Sequence, residues 1–334
     1  MRSIAVVVPR EEGERARRSL ASLGMLRRGL RIEDGDGTLL LPVKDEVSIG
    51  YPLKIHEFKE MSQRPRSYRE LLEVPEELRP LLPRAHDIVG DVLILKIHEE
   101  LASFEEAIGS ALLKATKSVA TVAVDEGVSG HRRRRTLRVI IGRRSTRTVH
   151  REYGLKLAMD PSQVYFSPRM AGERRRVAQG VRTGEVIIDA FCGVGPFALH
   201  MARQGAGVVY AVDVNPSAIE FLRENVRRNH LENVAPIQGD VRKVLPYLEP
   251  ADRVVLDFPK SPLPHFTLAA STLKEGGILH YYEILERDSL EERLEDLSSA
   301  LPRGLAMELL GSREVRGYSP SQGHYALDLK ISTE

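Results

Sequence analysis

The stretch Val186 to Pro216, VIIDAFCGVGPFALHMARQGAGVVYAVDVNP, decides how the rest of the chain is read. It starts with a short apolar run, Val186 to Ile188, that ends on Asp189 and reads as a buried strand. Gly193 and Gly195 then allow a tight turn beneath a ligand. Pro196 can open a helix whose apolar face comes from Phe197 to Met201. Beyond the loop Gly205 to Gly207 a second apolar strand, Val208 to Val212, ends on Asp213. Strand, turn, helix, strand and acid in that order lay out a nucleoside-binding crevice at the carboxyl ends of parallel strands. The second acid falls where ribose hydroxyls would lie. A dinucleotide fingerprint needs a third glycine, and here Gly195 is followed by Pro196, Phe197 and Ala198. Without a clear pyrophosphate cradle, nicotinamide and flavin dinucleotides are disfavoured. An adenosine without phosphate fits better, and S-adenosylmethionine is the commonest such ligand.

Composition bounds the remainder. A chain of 334 residues can fold as two or three domains with a substantial core. Its one cysteine, Cys192, rules out an intramolecular disulfide framework and a multi-cysteine metal cluster. The opening MRSIAVVVPREEGER is too briefly apolar for a signal peptide, and no segment is long enough to span a bilayer. A soluble protein of the cytoplasm, not bound to membrane, is the expectation. Arginine far outnumbers lysine and tryptophan is absent, which suits a GC-rich genome or a hot-living source equally.

The net charge of +2 does not by itself point to a nucleic acid, but its distribution does. Between His131 and Arg151 stand Arg132, Arg133, Arg134, Arg135, Arg138, Arg143, Arg144, Arg147 and Arg151, with no Asp or Glu. Leu137, Val139, Ile141 and Val149 are interspersed, so the segment is expected to form two strands around a turn at Gly142. Alternation would put several guanidiniums on one face, suited to backbone phosphates. A merely solvated arginine-rich hairpin is the plainer reading. Like charges repel, however, and no acid within the segment relieves them, so nucleic acid is favoured.

Along the chain three units are expected. Residues 1–58 read as a small α/β module, and 59–67 as a polar linker containing Pro65. A second unit, 68–158, includes an apolar strand at Val92 to Ile97, a helix near Phe104 to Thr116 and the basic hairpin. From 159 to 334 strands and helices alternate, ending in two strands. This predicts an α/β fold: a Rossmann-like, doubly wound sheet with an antiparallel C-terminal edge, preceded by two smaller α/β or α+β domains.

Further candidates surround the crevice. Asp240 follows the apolar strand Val234 to Ile237, where it could reach an adenine amino group, cap the helix opening at Val241, or do both. Asp257-Phe258-Pro259 ends the fourth strand, as a rim for a flat base or simply as a strand-ending acid before a rigid turn. Upstream, Tyr165 to Arg174 (YFSPRMAGER) combines aromatics that could stack on a nucleobase with Glu173, which could accept a proton or stabilise a helix start.

These blocks together resemble the archaeal and eukaryotic tRNA (guanine-37-N1)-methyltransferase family over essentially the whole chain. The likeness is carried by HDIVGD (86–91), VYFSPRMAGER (164–174), DAFCGVGPF (189–197), AVDVNPSAI (211–219), GDVR (239–242), EGGILHYY (275–282), GYSP (317–320) and YALDLKI (325–331). The resemblance implies a small N-terminal domain that contacts tRNA, a middle domain and a class I methyltransferase domain, generally acting as a monomer. It also implies S-adenosylmethionine as methyl donor, S-adenosylhomocysteine as product, tRNA as partner and N1 of the guanosine 3′ to the anticodon as target. Glu173 falls at the family's general base and Arg133 at the arginine that steadies guanine O6. Asp213 falls at the ribose-binding acid. Asp189, Phe191, Gly193, Gly195, Val214, Asp240, Val241 and Asp257 complete the expected cofactor crevice. Tyr165, Arg169 and Pro259 fall on the acceptor side, and Arg143, Arg144 and Arg147 are expected on the RNA. One departure stands out: the family's Asn-Leu-Pro is Asp257-Phe258-Pro259 here, and an ionised Asp can only accept where an amide also donates.

The chemistry explains the residue types. Guanine N1 is protonated near neutral pH, so its proton must leave as the methyl group arrives, without negative charge building up on O6. A carboxylate and a guanidinium answer those needs together, and a cationic donor requires no metal. Two other readings stay open. One is a wybutosine-pathway aminocarboxypropyltransferase acting on an already modified guanosine. The other is a non-catalytic tRNA-binding protein.

Overall fold

Apolar strands that end on acids alternate with amphipathic helices through the C-terminal half, and they assemble into one twisted sheet. The computed structural model describes residues 1–27, 29–60, 67–129 and 134–334. Most of the expected linker, and Arg133 within the basic segment, lie outside the described residues. The chain forms two compact units, Met1–Leu71 and Leu72–Glu334.

In the first unit, β1 (Arg2–Pro9), α1 (Gly13–Ser22), β2 (Glu33–Asp34), β3 (Thr38–Val43) and β4 (Leu53–Glu57) build a four-stranded sheet in the order β2-β3-β1-β4. Successive side chains of β1 point to opposite faces. Val6 and Val8 therefore pack with Ala16 and Leu20 of α1, while Ala5 packs with Leu40 and Phe58.

The second unit begins with β5 (His86–Val89), β6 (Val92–Leu95), α2 (Glu105–Ala115), β7 (Thr121–Ser129) and β8 (Arg134–Gly142), a sheet in the order β5-β6-β7-β8. A hairpin of β9 (Thr148–Glu152) and β10 (Leu155–Met159) follows. The two strands expected around Gly142 both exist, but they do not pair with each other: β8 pairs with β7, and β9 with β10. Backbone pairing, not shared charge, chose the partners. The segment holds no acid of its own, as expected, but acids from elsewhere in the chain neutralise several of its arginines. Arg138 pairs with Glu105 and Glu126, Arg143 with Asp91, and Arg147 with Glu224.

After α3 (Ala171–Gln179) come β11 (Val186–Asp189), α4 (Pro196–Arg203), β12 (Val208–Asp213), α5 (Pro216–Arg228), β13 (Val234–Gln238), α6 (Val241–Val244) and β14 (Ala251–Leu256). The chain closes with α7 (Leu263–Ser271), β15 (Leu273–Glu286), α8 (Leu290–Ser299), β16 (Leu305–Gly317) and β17 (Gln322–Thr333). The seven strands run β13-β12-β11-β14-β15-β17-β16, parallel through β15, with β17 antiparallel to both neighbours. Apolar residues cover both faces, as a parallel sheet requires. Val177 of α3, Phe197 of α4 and Leu222 of α5 share one core with Leu155 and Leu157 of β10. Val241 of α6, Phe266 of α7 and Leu297 of α8 share the other. Chain order reverses between β11 and β14, where a doubly wound sheet opens its ligand crevice.

Candidate functional site: a cofactor and acceptor cleft

The cleft lies at that reversal. The loop leaving β11 turns through Gly193 (φ 53°) and Gly195 (φ 86°) before Pro196 starts α4. At Gly195 a Cβ would stand 2.3 Å from Leu222 Cδ1, so both the left-handed backbone and the packing of α5 demand glycine. The end of β12 is tied to this loop: the Gly193 N–H donates to Asp213 Oδ2 at 2.8 Å, and the Asn215 N–H to Oδ1 at 2.8 Å. Burial raises the Asp213 pKa, although both N–H donors favour the carboxylate. Each oxygen accepts one of these bonds and keeps a lone pair, which fits a pair of ribose hydroxyls.

Phe191, Gly193, Asp213 and Val214 line the cleft, and so do Tyr165, Asp257, Phe258 and Pro259. The Phe191 and Phe258 rings stack at 4.7 Å and 17°, with His265 edge-on to both. A flat apolar platform of this kind suits a nucleobase. Pro259 is fixed by its carbonyl, which accepts from the Ile284 N–H at 2.9 Å. Asp189 is buried and does not itself line the cleft. It accepts from the Ala198 N–H at 3.1 Å, and burial, then Asp257 and Asp213, push its pKa well up.

Several expected residues are not brought to this cleft. Asp240 caps α6, accepting from the Arg242 N–H at 2.9 Å, and its carboxylate is held below the usual range, at about 2, by the Arg242 side chain. The expected cap is therefore in place. Val241 is buried in the core beneath α6. Arg169 is exposed and ion-paired to Asp87 of β5 at 2.8 Å. Arg143 and Arg147 line a separate groove beside Gly90 and α5, with Arg147 also over the Phe221 ring, and Arg144 is exposed.

Glu173, on the first turn of α3, is buried beside the cleft and does not line it. It makes no backbone cap bond to its helix; guanidiniums hold it. Arg176 donates to both oxygens at 2.6 and 3.0 Å, Arg313 to both at 3.2 Å, and the Tyr282 hydroxyl to Oε1 at 2.8 Å. The Tyr282 ring packs 5.5 Å from Phe197, a cleft residue.

Sequence reasoning missed two groups. Arg174 lines the cleft, lies over the Phe166 ring and pairs with the buried Glu152 of β9. Arg313 and Asp328 come from the last two strands. The Glu173–Arg176 pair had a signal in its i,i+3 spacing on a helix, whereas Arg313 lies 140 residues from Glu173 and had none.

Glycine turn, ribose acid, aromatic platform and reversed strand order define a class I S-adenosylmethionine-dependent methyltransferase. Comparison with known proteins narrows this. Residues 148–305 match the TRM5/TYW2 methyltransferase domain, 68–146 the TYW2 N-terminal domain and 5–50 the tRNA methyltransferase 5 N-terminal domain. The chain is 40% identical to the tRNA (guanine(37)-N(1))-methyltransferase Trm5b of Pyrococcus abyssi, over 99% of both chains. It superposes with a TM-score of 0.82 at 31% identity on a structure described as the complex of aTrm5 and tRNALeu, covering 98% of this chain and 100% of that one. It is also 29% identical to a tRNA(Phe) (4-demethylwyosine(37)-C(7)) aminocarboxypropyltransferase of Pyrococcus horikoshii, over 79% of this chain and 95% of that one. The chain belongs to the Trm5 family of tRNA methyltransferases.

Proposed function

We propose that this chain transfers the methyl group of S-adenosylmethionine to N1 of guanosine 37 in tRNA. One observation carries the reading: likeness to a guanosine-37 N1-methyltransferase runs through the whole chain, including the first unit, whereas the aminocarboxypropyltransferase matches only 79% of it. When bound, S-adenosylmethionine supplies the methyl group and leaves as S-adenosylhomocysteine. Asp213 holds the ribose hydroxyls, and the Phe191–Phe258 platform takes the adenine. Tyr165, Pro259 and Asp257 face the flipped-out guanine. Glu173 accepts the N1 proton as the N1–C bond forms and the S–C bond breaks, its electron pair going to sulfur. Arg133, outside the described residues, is assigned to O6 on the family resemblance. No metal is called for, and the same resemblance supports a monomer; the cytoplasm is our reading from the sequence alone.

The test is single-turnover transfer to an unmodified tRNA transcript, with the product located by mass spectrometry. Parent enzyme should add one methyl, about 14 Da, at guanosine 37. A gain of roughly 100 Da on a modified guanosine would instead assign the aminocarboxypropyl reaction. Glu173→Gln should keep donor and tRNA binding and lose on the order of 10²–10⁴-fold in rate; a near-parental rate would remove it as base. Asp257→Asn should retain N1 methylation if the site tolerates either side chain.

A further inference from the structure

A carboxylate gripped by two guanidiniums is an unusual starting state for a base, and the grip has a definite architecture. Glu173, Arg176, Asp328 and Arg313 form a closed ring of alternating charge. Arg176 spans the two acids, reaching Glu173 at 2.6 Å and Asp328 at 2.8 Å. Arg313 spans them again from the other side, at 3.2 and 2.7 Å. Asp328 is anchored from beneath by His280, whose Nδ1 lies 2.6 Å from Oδ1 and whose Nε2 faces Arg253 at 3.0 Å. The ring's net charge is zero, and its members come from α3, β16 and β17.

The strand that supplies Arg313 is irregular in a way that matters. Arg313 and Arg316 are three apart, so a regular strand would point them to opposite faces. Between Glu314 and Arg316 the register against β17 slips by one: Glu314 stands opposite Tyr325 and Arg316 opposite His324. The extra residue restores parity. Both arginines then face the acceptor side, Arg313 on Glu173 and Arg316 3.4 Å from the Tyr165 hydroxyl.

The two clamps on Glu173 are unequal. Arg176 makes two short bonds, one to each oxygen. Arg313 shares a single Nη1 between both oxygens at 3.2 Å, and its second nitrogen is held by Asp328. Oε1 takes both Arg176 Nη2 and the Tyr282 hydroxyl, whereas Oε2 takes only Arg176 Nε besides Arg313, so Oε2 is the oxygen with capacity to spare once Arg313 lets go.

We propose that Arg313 is a positioning residue for the methyl-transfer reaction: it orients Glu173 from its seat on Asp328 and cedes Oε2 to the guanine N1–H as the acceptor docks, staying on Asp328. The inference rests on Glu173 being the base. Atoms balance simply: the N1 proton goes to Glu173 Oε2, the methyl carbon to N1 and the S–C electron pair to sulfur. Arg313 changes partners without gaining or losing a proton.

The test is single-turnover methyl transfer with equilibrium binding of donor and tRNA, in Arg313→Ala, Arg313→Lys, Glu173→Gln and the Glu173→Gln/Arg313→Ala double variant. Arg313→Ala should lose between about tenfold and 10²-fold in rate, the scale of a misplaced reacting group, with both affinities unchanged. Arg313→Lys should recover part of the loss. In the double variant the Arg313 change should cost nothing further, because its effect passes through Glu173. Should Arg313→Ala fold poorly, Asp328→Asn, which unseats the same guanidinium, must show the same non-additivity. A parental rate in Arg313→Ala, an equal loss on top of Glu173→Gln, or a fall in tRNA affinity that accounts for the loss would each overturn the proposal. If Glu173→Gln alone keeps its rate, the base assignment fails first, and that result is distinct.

Discussion

Glu152 at the end of β9 receives Nε and Nη2 of Arg174 at 2.8 and 2.5 Å, a bidentate pair whose side chains are 2% and 3% exposed. His200 of α4 meets the same carboxylate at 2.9 Å. The pair therefore fastens the β9–β10 hairpin to α3 one residue after Glu173, and it sets a cleft residue in place through a strand far from the glycine turn.

Removing one partner of so buried a pair leaves a charge without compensation. Glu152→Gln should cost about 3–5 kcal/mol of stability, read from denaturant unfolding. Burial works against the charged form of Glu152, but Arg174 and His200 outweigh it and hold the carboxyl at about 2, below its ordinary 4.5. For a depressed folded-state value, the stabilisation is complete above the unfolded value and drains away as pH falls from about 4.5 toward 2. The parent should lose stability across that window more steeply than Glu152→Gln; parallel curves would remove the pair from the acid response.

Asp213→Ala should weaken S-adenosylmethionine and S-adenosylhomocysteine binding far more than tRNA binding. It deletes the expected acceptor of the ribose hydroxyls and frees the Gly193 N–H. Calorimetry with each ligand separately is the measurement. Unchanged donor affinity would place the ribose elsewhere.

At Gly195 even one methyl group is too many. Gly195→Ala imposes a left-handed backbone on alanine, costing roughly 1–2 kcal/mol, and drives its Cβ into Leu222. A lowered melting temperature with donor binding impaired is expected. Parental donor affinity would show that the turn relaxes without moving the site.

Replacing Arg143, Arg144 and Arg147 together should lower tRNA affinity and flatten its dependence on salt, with donor binding untouched. Because Arg143 and Arg147 are already paired with Asp91 and Glu224, the change in slope should fall short of three full phosphate contacts. Equal slopes in parent and variant would make this a solvated face.

The sequence reading was strongest where chemistry is local. Val186 to Asp213 could be read as strand, turn, helix and strand because each signal sits within a few residues of what it controls. Asp213 and Gly193 meet as that reading requires. The antiparallel edge was legible too, as two final strands with no helix left to cross over. Pairing across distance was not. Nothing near Arg147 announces Glu224, and nothing near Arg174 announces Glu152, 22 residues away. The strand partners of the basic segment were misjudged for the same reason: alternation shows that a strand exists, not which strand lies beside it.

Among the described residues the outermost strand, β16, pairs on one side only, with β17, and its register slips at Leu309/Gly311 as well as at Glu314/Arg316. An open edge thirteen residues long would ordinarily be a template on which another chain could add itself. Two interruptions within that length leave no long run of evenly spaced amides for a newcomer to match. The bend that turns Arg313 and Arg316 inward thus also protects the sheet from growing.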